Sequence, residues 1–173
     1  MSDLVAAVVS VLATSVARWS ALARIEPELL VRAPAPGEWS VVQCLSHVVD
    51  TEPLFQGRVR AILDGREFPG FDPDRESSEI DRPAAKLAEQ LGQMRPDSLG
   101  ELGRLTDADL DRTARHRELG MVTMRELLNE WAAHDTMHVV QAERALMQAF
   151  VPGSGPWRPY FADHDVEAPK PAG

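Results

Sequence analysis

The stretch Thr123-Met124-Arg125-Glu126-Leu127-Leu128-Asn129-Glu130-Trp131-Ala132-Ala133-His134-Asp135-Thr136-Met137-His138-Val139-Val140-Gln141-Ala142-Glu143-Arg144-Ala145 reads as one long helix with an unusual buried face. Thr123 and Glu126 have the spacing of a capping box, which satisfies two backbone N–H groups at a helix start. The apolar residues then recur at three- and four-residue intervals, the period of an amphipathic helix. At 100° per residue, Leu127, Trp131, His138, Gln141 and Ala145 all lie within about 60° of His134. The helix, predicted to run to about Ala149, therefore places two imidazoles one turn apart inside its own apolar stripe.

Working outward, the periodicity predicts three more helices. Val5, Val8, Leu12, Trp19 and Leu22 share one side of a helix from about Asp3 to Ala23. Three prolines and a glycine between Pro27 and Gly37 mark a connection. Ser40 is the expected N-cap of a second helix to about Leu63, with Val41, Leu45, Val48, Phe55, Val59 and Ile62 as its stripe. Pro53 inside it removes a backbone hydrogen bond and is expected to kink or split the helix unless the preceding turn has another partner. Asp64 to Arg82, with seven acidic and three basic residues, reads as a long polar loop. Pro83 suits the first position of a third helix through Leu87, Leu91 and Met94, weakened further on by Pro96 and glycines. A short capped turn at Thr106 to Leu110 and a polar stretch to Gly120 lead into the quoted helix. No alternating strand pattern is evident. The tail from Val151 holds five of the thirteen prolines, with Trp157, Arg158 and Tyr160 expected to cover one end of the bundle. The reading is an all-α four-helix bundle with a proline-rich C-terminal tail: a helical bundle domain over 1–162 and a loose tail over 163–173.

Composition narrows the function. The chain has 173 residues, 44% hydrophobic and 26% charged, as a single globular domain has. A fold of this size buries roughly 70% of its unfolded surface, so it needs no structural metal to make a core. Lys and Arg number 18 against 27 Asp and Glu, a formal charge of −9 that disfavours nucleic acid and anionic membranes as partners. The one cysteine, Cys44, excludes an internal disulfide and fits a reducing, cytoplasmic setting. Residues 4–17 are apolar but follow Met1-Ser2-Asp3 without positive charge, which speaks against a signal peptide. No run of about 18 apolar residues suggests a membrane span.

Two adjacent buried imidazoles repel when both are charged, and a divalent ion binds both in their neutral form. Two core histidines bonded to backbone or water satisfy the same pattern. A third ligand would come from His47, His116 or His164. His47 lies about 120° from the centre of its helix's apolar stripe, so periodicity alone makes it a surface residue. His116 is expected to be exposed.

The segment Gly37-Glu38-Trp39-Ser40-Val41-Val42-Gln43-Cys44-Leu45-Ser46-His47-Val48-Val49-Asp50, with His134-Asp135-Thr136-Met137-His138 and Gln141, resembles the DinB/YfiT-like superfamily. That pattern has a Trp-Ser opening the second helix, a histidine about eight residues later, and a His-x-x-x-His pair on a late helix. The resemblance implies a four-helix bundle, commonly dimeric, whose metal ligands are His47, His134 and His138, binding zinc or nickel. It implies a metal-dependent enzyme that activates a water or a low-molecular-weight thiol toward a small electrophile, by thiol S-transferase or hydrolase-like chemistry. The chain carries no counterpart of the additional C-terminal domain of mycothiol-dependent isomerases, which weighs against isomerase activity. Three imidazoles and a water form the open coordination of a catalytic zinc. Asp50 and Gln141 are the candidates for orienting the ligands, with ordinary polar residues at the core margin as the alternative. Trp39 and Trp131 are expected to pack the bundle, and Cys44 to be a small buried side chain.

Two other readings remain at this stage. One is a non-catalytic helical bundle that binds a partner. The other is a zincin-like peptidase in which Asp135 replaces the glutamate of His-Glu-x-x-His, with Asp163 or His164 as a downstream ligand. Histidine ligation further predicts that metal affinity falls as the pH drops below roughly 6.5.

Overall fold

Helix starts are written into the side chains. In the computed structural model, which describes residues 2–68 and 82–166, Thr123 N and Oγ1 both donate to Glu126 Oε2, at 2.8 and 2.7 Å, and Glu126 N returns a bond to Thr123 Oγ1 at 3.1 Å. Ser40 and Gln43 do the same at the other histidine-bearing helix, at 2.9 and 3.3 Å. The helices are α1 (Asp3–Leu22), the single-turn α2 (Pro27–Leu30), α3 (Val41–Asp64), α4 (Ala84–Leu102) and α5 (Met124–Met147). Each of α1 and α3 packs against both α4 and α5, so the two pairs occupy opposite diagonals of a four-helix bundle. The expected stripes of α1 and α3 are all buried.

Pro53 does not split α3. The helix is continuous through it, and the Thr51 hydroxyl donates to the His47 carbonyl at 2.8 Å in the preceding turn. Pro83 precedes α4 as its N-cap rather than opening it, and α4 runs on through Pro96 to Leu102. Gly65 ends α3 at φ 66, a left-handed conformation that suits glycine.

The expectation of no strand is corrected. Thr113–His116 (β1) and Gly120–Thr123 (β2) pair antiparallel, with His116 opposite Gly120. Only Ala114 is buried in the pair, so no apolar alternation marks it in the sequence. The tail is corrected too. Val151–Phe161 is a tight helical segment broken at Gly155 (φ 57), and Trp157 and Tyr160 are 64% and 82% exposed, so neither covers the bundle. Beyond the boundary drawn at 162, Gln148 docks the chain by donating to the His164 carbonyl at 2.9 Å and accepting from Val166 N at 3.1 Å. Residues 167–173, and residues 69–81 of the acidic loop, lie outside the described residues.

α1 is the one described helix long and apolar enough, by length and composition, to cross a membrane, since Asp3 and Arg18 are its only charged residues. In the bundle Val5, Val8, Leu12 and Trp19 are at most 3% exposed against the other helices.

The core is in two parts. One holds Trp19, Leu45, Val48, Leu87, Leu91 and Val139, the other Leu12, Phe55, Val59, Leu102, Leu128 and Trp131. Between them every main helix carries buried polar side chains: Ser15 on α1, Thr51 and Glu52 on α3, Arg95 and Ser98 on α4, Asp135 and His138 on α5.

Because Ser40 is fully buried and holds the first turn of α3, Ser40→Ala is expected to cost about 1 kcal/mol. Urea unfolding at pH 7 measures it, with an unchanged midpoint as the contrary result.

Candidate metal centre

α3 and α5 run antiparallel, since Trp39 meets His138 while Phe55 stacks on Trp131 with ring centroids 5.0 Å apart. That alignment brings three imidazoles together. His47 Nε2 lies 3.1 Å from His134 Nε2. Ring centroids are 5.1 Å apart for His47 and His134, 4.7 Å for His47 and His138, and 4.5 Å for His134 and His138. One nitrogen from each ring lies within 4.8 Å of the others, the only such group of metal-capable side chains among the described residues. His47 reaches it although the wheel places it off the apolar stripe. α3 is packed on two sides, by α4 and by α5, so its buried surface is wider than one stripe.

The environment makes all three rings neutral bases. Burial, then the neighbouring His138, pushes His47 down to about 4, with Asp50 opposing. Burial, then His138, His47 and the Arg58 guanidinium, pushes His134 down to about 3. Burial lowers His138 as well, against Gln141 and Asp135. Gln141 Oε1 lies 3.0 Å from His138 Nδ1. With the Nδ1 proton given to that oxygen, the Nε2 lone pair is left for a cation.

This donor set fits a divalent ion. Two nitrogens on one tetrahedral zinc, at Zn–N distances of about 2.0–2.1 Å, stand about 3.3 Å apart. The His47–His134 separation of 3.1 Å is close to that span.

The other expected participants fall on both sides. Gln141 is in contact with His138. Asp50 is taken up by Arg82, whose Nη1 donates to it at 2.7 Å, and by the Ser46 hydroxyl at 3.3 Å; no bond to His47 is seen. Trp39 stacks on His138 at 5.6 Å, and Trp131 packs the core as expected. Cys44 is fully buried and its thiol is pushed up to about 12 by desolvation, so it is neither thiolate nor ligand. His116 is not simply exposed: its Nδ1 accepts from Glu118 N and Leu119 N at 3.2 Å each, closing the β-turn, and its ring meets Phe68 edge-on.

The peptidase reading fails on geometry. Asp135 is 1% exposed and turned into the bundle, where it accepts from Arg95 at 2.9 Å, so it cannot serve as base beside the histidines. Asp163 and His164 are exposed in the tail and outside the cluster. Phe55, edge-on to His134 at 5.2 Å, and Arg58, over the Phe55 and Phe68 rings at 5.8 and 5.6 Å, wall the site and were not foreseen. A cavity of about 500 Å³ adjoins His138, lined by Trp39, Met137, Val140, Gln141 and Arg144.

A family model described as the DinB superfamily matches residues 12–142. The chain belongs to the DinB superfamily. Among solved structures, this DinB chain is similar to YfiT from Bacillus subtilis, described as "a probable metal-dependent hydrolase with an unusual four-helix bundle topology". The TM-score is 0.76 at 17% identity, over 87% of this chain and 90% of that one, which shows a shared fold. No curated protein matches the chain. The DinB fold and the three-histidine cluster fit a metal-dependent enzyme.

The depressed pKa values revise the pH expectation. For three histidines of ordinary pKa, proton competition would weaken metal binding about thirtyfold between pH 7 and pH 6. Here His47 and His134 are lowered to about 4 and about 3 and His138 lies below its ordinary value, so at most about a threefold change is expected over that unit. The sign for stability follows. Below an unfolded pKa of about 6.5 the unfolded chain binds more protons than the folded one, so the metal-free protein loses stability as the pH falls toward 4. Metal titrations at pH 7 and 6, and melting of the metal-free protein from pH 7 to 4.5, check both points. A thirtyfold loss of affinity, or a flat melting profile, would contradict them.

Proposed function

We propose that this protein is a metal-dependent enzyme whose His47, His134 and His138 hold one divalent ion, zinc or nickel, at the α3–α5 seam. The observation that carries the reading is the convergence of three imidazoles that burial keeps neutral. A bound ion of this kind supplies Lewis acidity, activating a water or a thiol or polarising a carbonyl. The chain's own side chains do the rest. Gln141 orients His138, Trp39 and Phe55 form aromatic walls that exclude water, and Arg58 brings positive charge near His134.

The reaction we infer is hydrolase-like or thiol S-transferase chemistry on a small electrophile. The sequence resemblance supports the thiol arm, and the buried, protonated Cys44 means that any thiol nucleophile comes from a separate low-molecular-weight molecule. A cytoplasmic homodimer is the working form that the resemblance suggests.

Elemental analysis of the purified protein is expected to find about one divalent ion per chain. His47→Ala and His138→Ala are expected to lose it. Undiminished metal in His47→Ala would overturn the three-histidine site. Turnover of activated esters and alkyl halides, with and without added cysteine-derived thiols, then separates the two chemistries. Thiol-dependent rates support transfer, and rates unaffected by thiol support hydrolysis.

A further inference from the structure

α4 contributes no histidine, yet it carries the cation at the centre of the buried polar layer. Arg95 is 0% exposed. Its Nη2 donates to Asp135 Oδ1 at 2.9 Å, and its Nε lies 3.1 Å from Glu52 Oε1. Glu52 Oε1 also accepts from the Ser98 hydroxyl at 2.5 Å, and Ser98 in turn accepts from Gln56 Nε2 at 2.7 Å. Both carboxylates are about 1% exposed.

The two carboxylates sit on the two ligand-bearing helices. Asp135 is the residue after His134 on α5, and Glu52 lies five residues after His47 on α3. On each helix the histidine faces the α3–α5 seam while the carboxylate is turned inward to Arg95. Thermodynamic stability gives no reason for such a layer, since well-packed apolar side chains of the same volume hold a bundle at least as well as a buried ion cluster. An ion cluster instead singles out one register and one rotation of the helices that carry it. The tolerance needed here is narrow. A histidine Nε2 stands about 8 Å from its helix axis, so a rotation of about 5° moves it about 0.7 Å. Metal–ligand distances tolerate only about 0.2 Å.

We propose that Arg95 is a positioning residue for the metal centre: by holding Glu52 and Asp135 from the bundle interior, it sets the rotation of α3 and α5 at which the three imidazoles converge. The inference rests on the metal-dependent reading above. The arginine fork is needed for it. A guanidinium can engage two carboxylates in fixed directions at once, whereas a lysine ammonium is a point charge on a flexible stem.

The test uses cobalt(II) titration of the full chain, followed by d–d absorption, alongside thermal melting. Arg95→Lys keeps the charge and loses the fork. It is expected to bind cobalt 10- to 100-fold more weakly, the usual effect of removing a group that orients metal ligands, with altered band positions. Leu12→Ala, on α1, which supplies neither a histidine nor a partner of Arg95, is the control for lost stability and is expected to bind cobalt within twofold of wild type. Wild-type affinity and spectrum in Arg95→Lys would overturn the inference, as would an equal loss of affinity in Leu12→Ala. Should Arg95→Lys fail to fold, the charge-free triple Glu52→Gln/Arg95→Met/Asp135→Asn decides: weakened binding with an altered spectrum supports positioning, and wild-type binding refutes it. A wild-type protein that binds no cobalt removes the metal reading itself, and this inference with it.

Discussion

Midway along the bundle, all four main helices interrupt an otherwise apolar core with polar side chains, and the rest of the molecule is arranged around that layer. Arg95, Glu52 and Asp135 are each at most 1% exposed, and His138 is 4% exposed beside them. The two ion pairs of Arg95 hold these charges in the interior, where an unpaired charge is strongly destabilising. The layer therefore dictates which residues face which across α3, α4 and α5. The apolar parts on either side of it seal it from water, and the histidine cluster occupies its margin at the seam between α3 and α5.

The same low-polarity surroundings shape the chemistry. Desolvation is the first cause of the lowered pKa of all three histidines, and their mutual repulsion adds to it for His47 and His134. A group of neutral imidazoles with lone pairs in common reach is a prepared cation site, since ligands need not first shed protons. The two carboxylates that flank the histidines in sequence are each committed to an arginine, Asp50 to Arg82 and Asp135 to Arg95. The described residues thus place three nitrogen donors in the cluster and no carboxylate, which fits an open tris-imidazole centre.

Much of this was legible in the sequence. Three- and four-residue spacing located every main helix, and the Thr123–Glu126 pair and the Ser40 N-cap marked two of their starts. The His134–His138 pair was visible because both residues fall in an apolar stripe. His47 was not, because a helix packed on two sides buries more than one stripe, and only the resemblance pointed to it. The buried ion cluster has its own mark in the sequence: Glu52, Arg95 and Asp135 each occupy a stripe position, as in Leu87, Leu91, Arg95, Ser98 and Leu102. Charges of opposite sign in the stripes of three different helices are the sequence signature of such a layer. The hairpin left almost none, since a four-residue strand pair with one buried side chain has no period to detect.

The central claim is that three specific imidazoles meet at one ion, and X-ray absorption at the metal edge of the zinc-loaded protein tests it most directly. The account predicts three imidazole nitrogens at about 2.0–2.1 Å with light-atom ligation completing the shell. It also predicts loss of one imidazole from the shell in His47→Ala. A sulfur ligand at about 2.3 Å, or an imidazole count that the His47 substitution leaves unchanged, would contradict it.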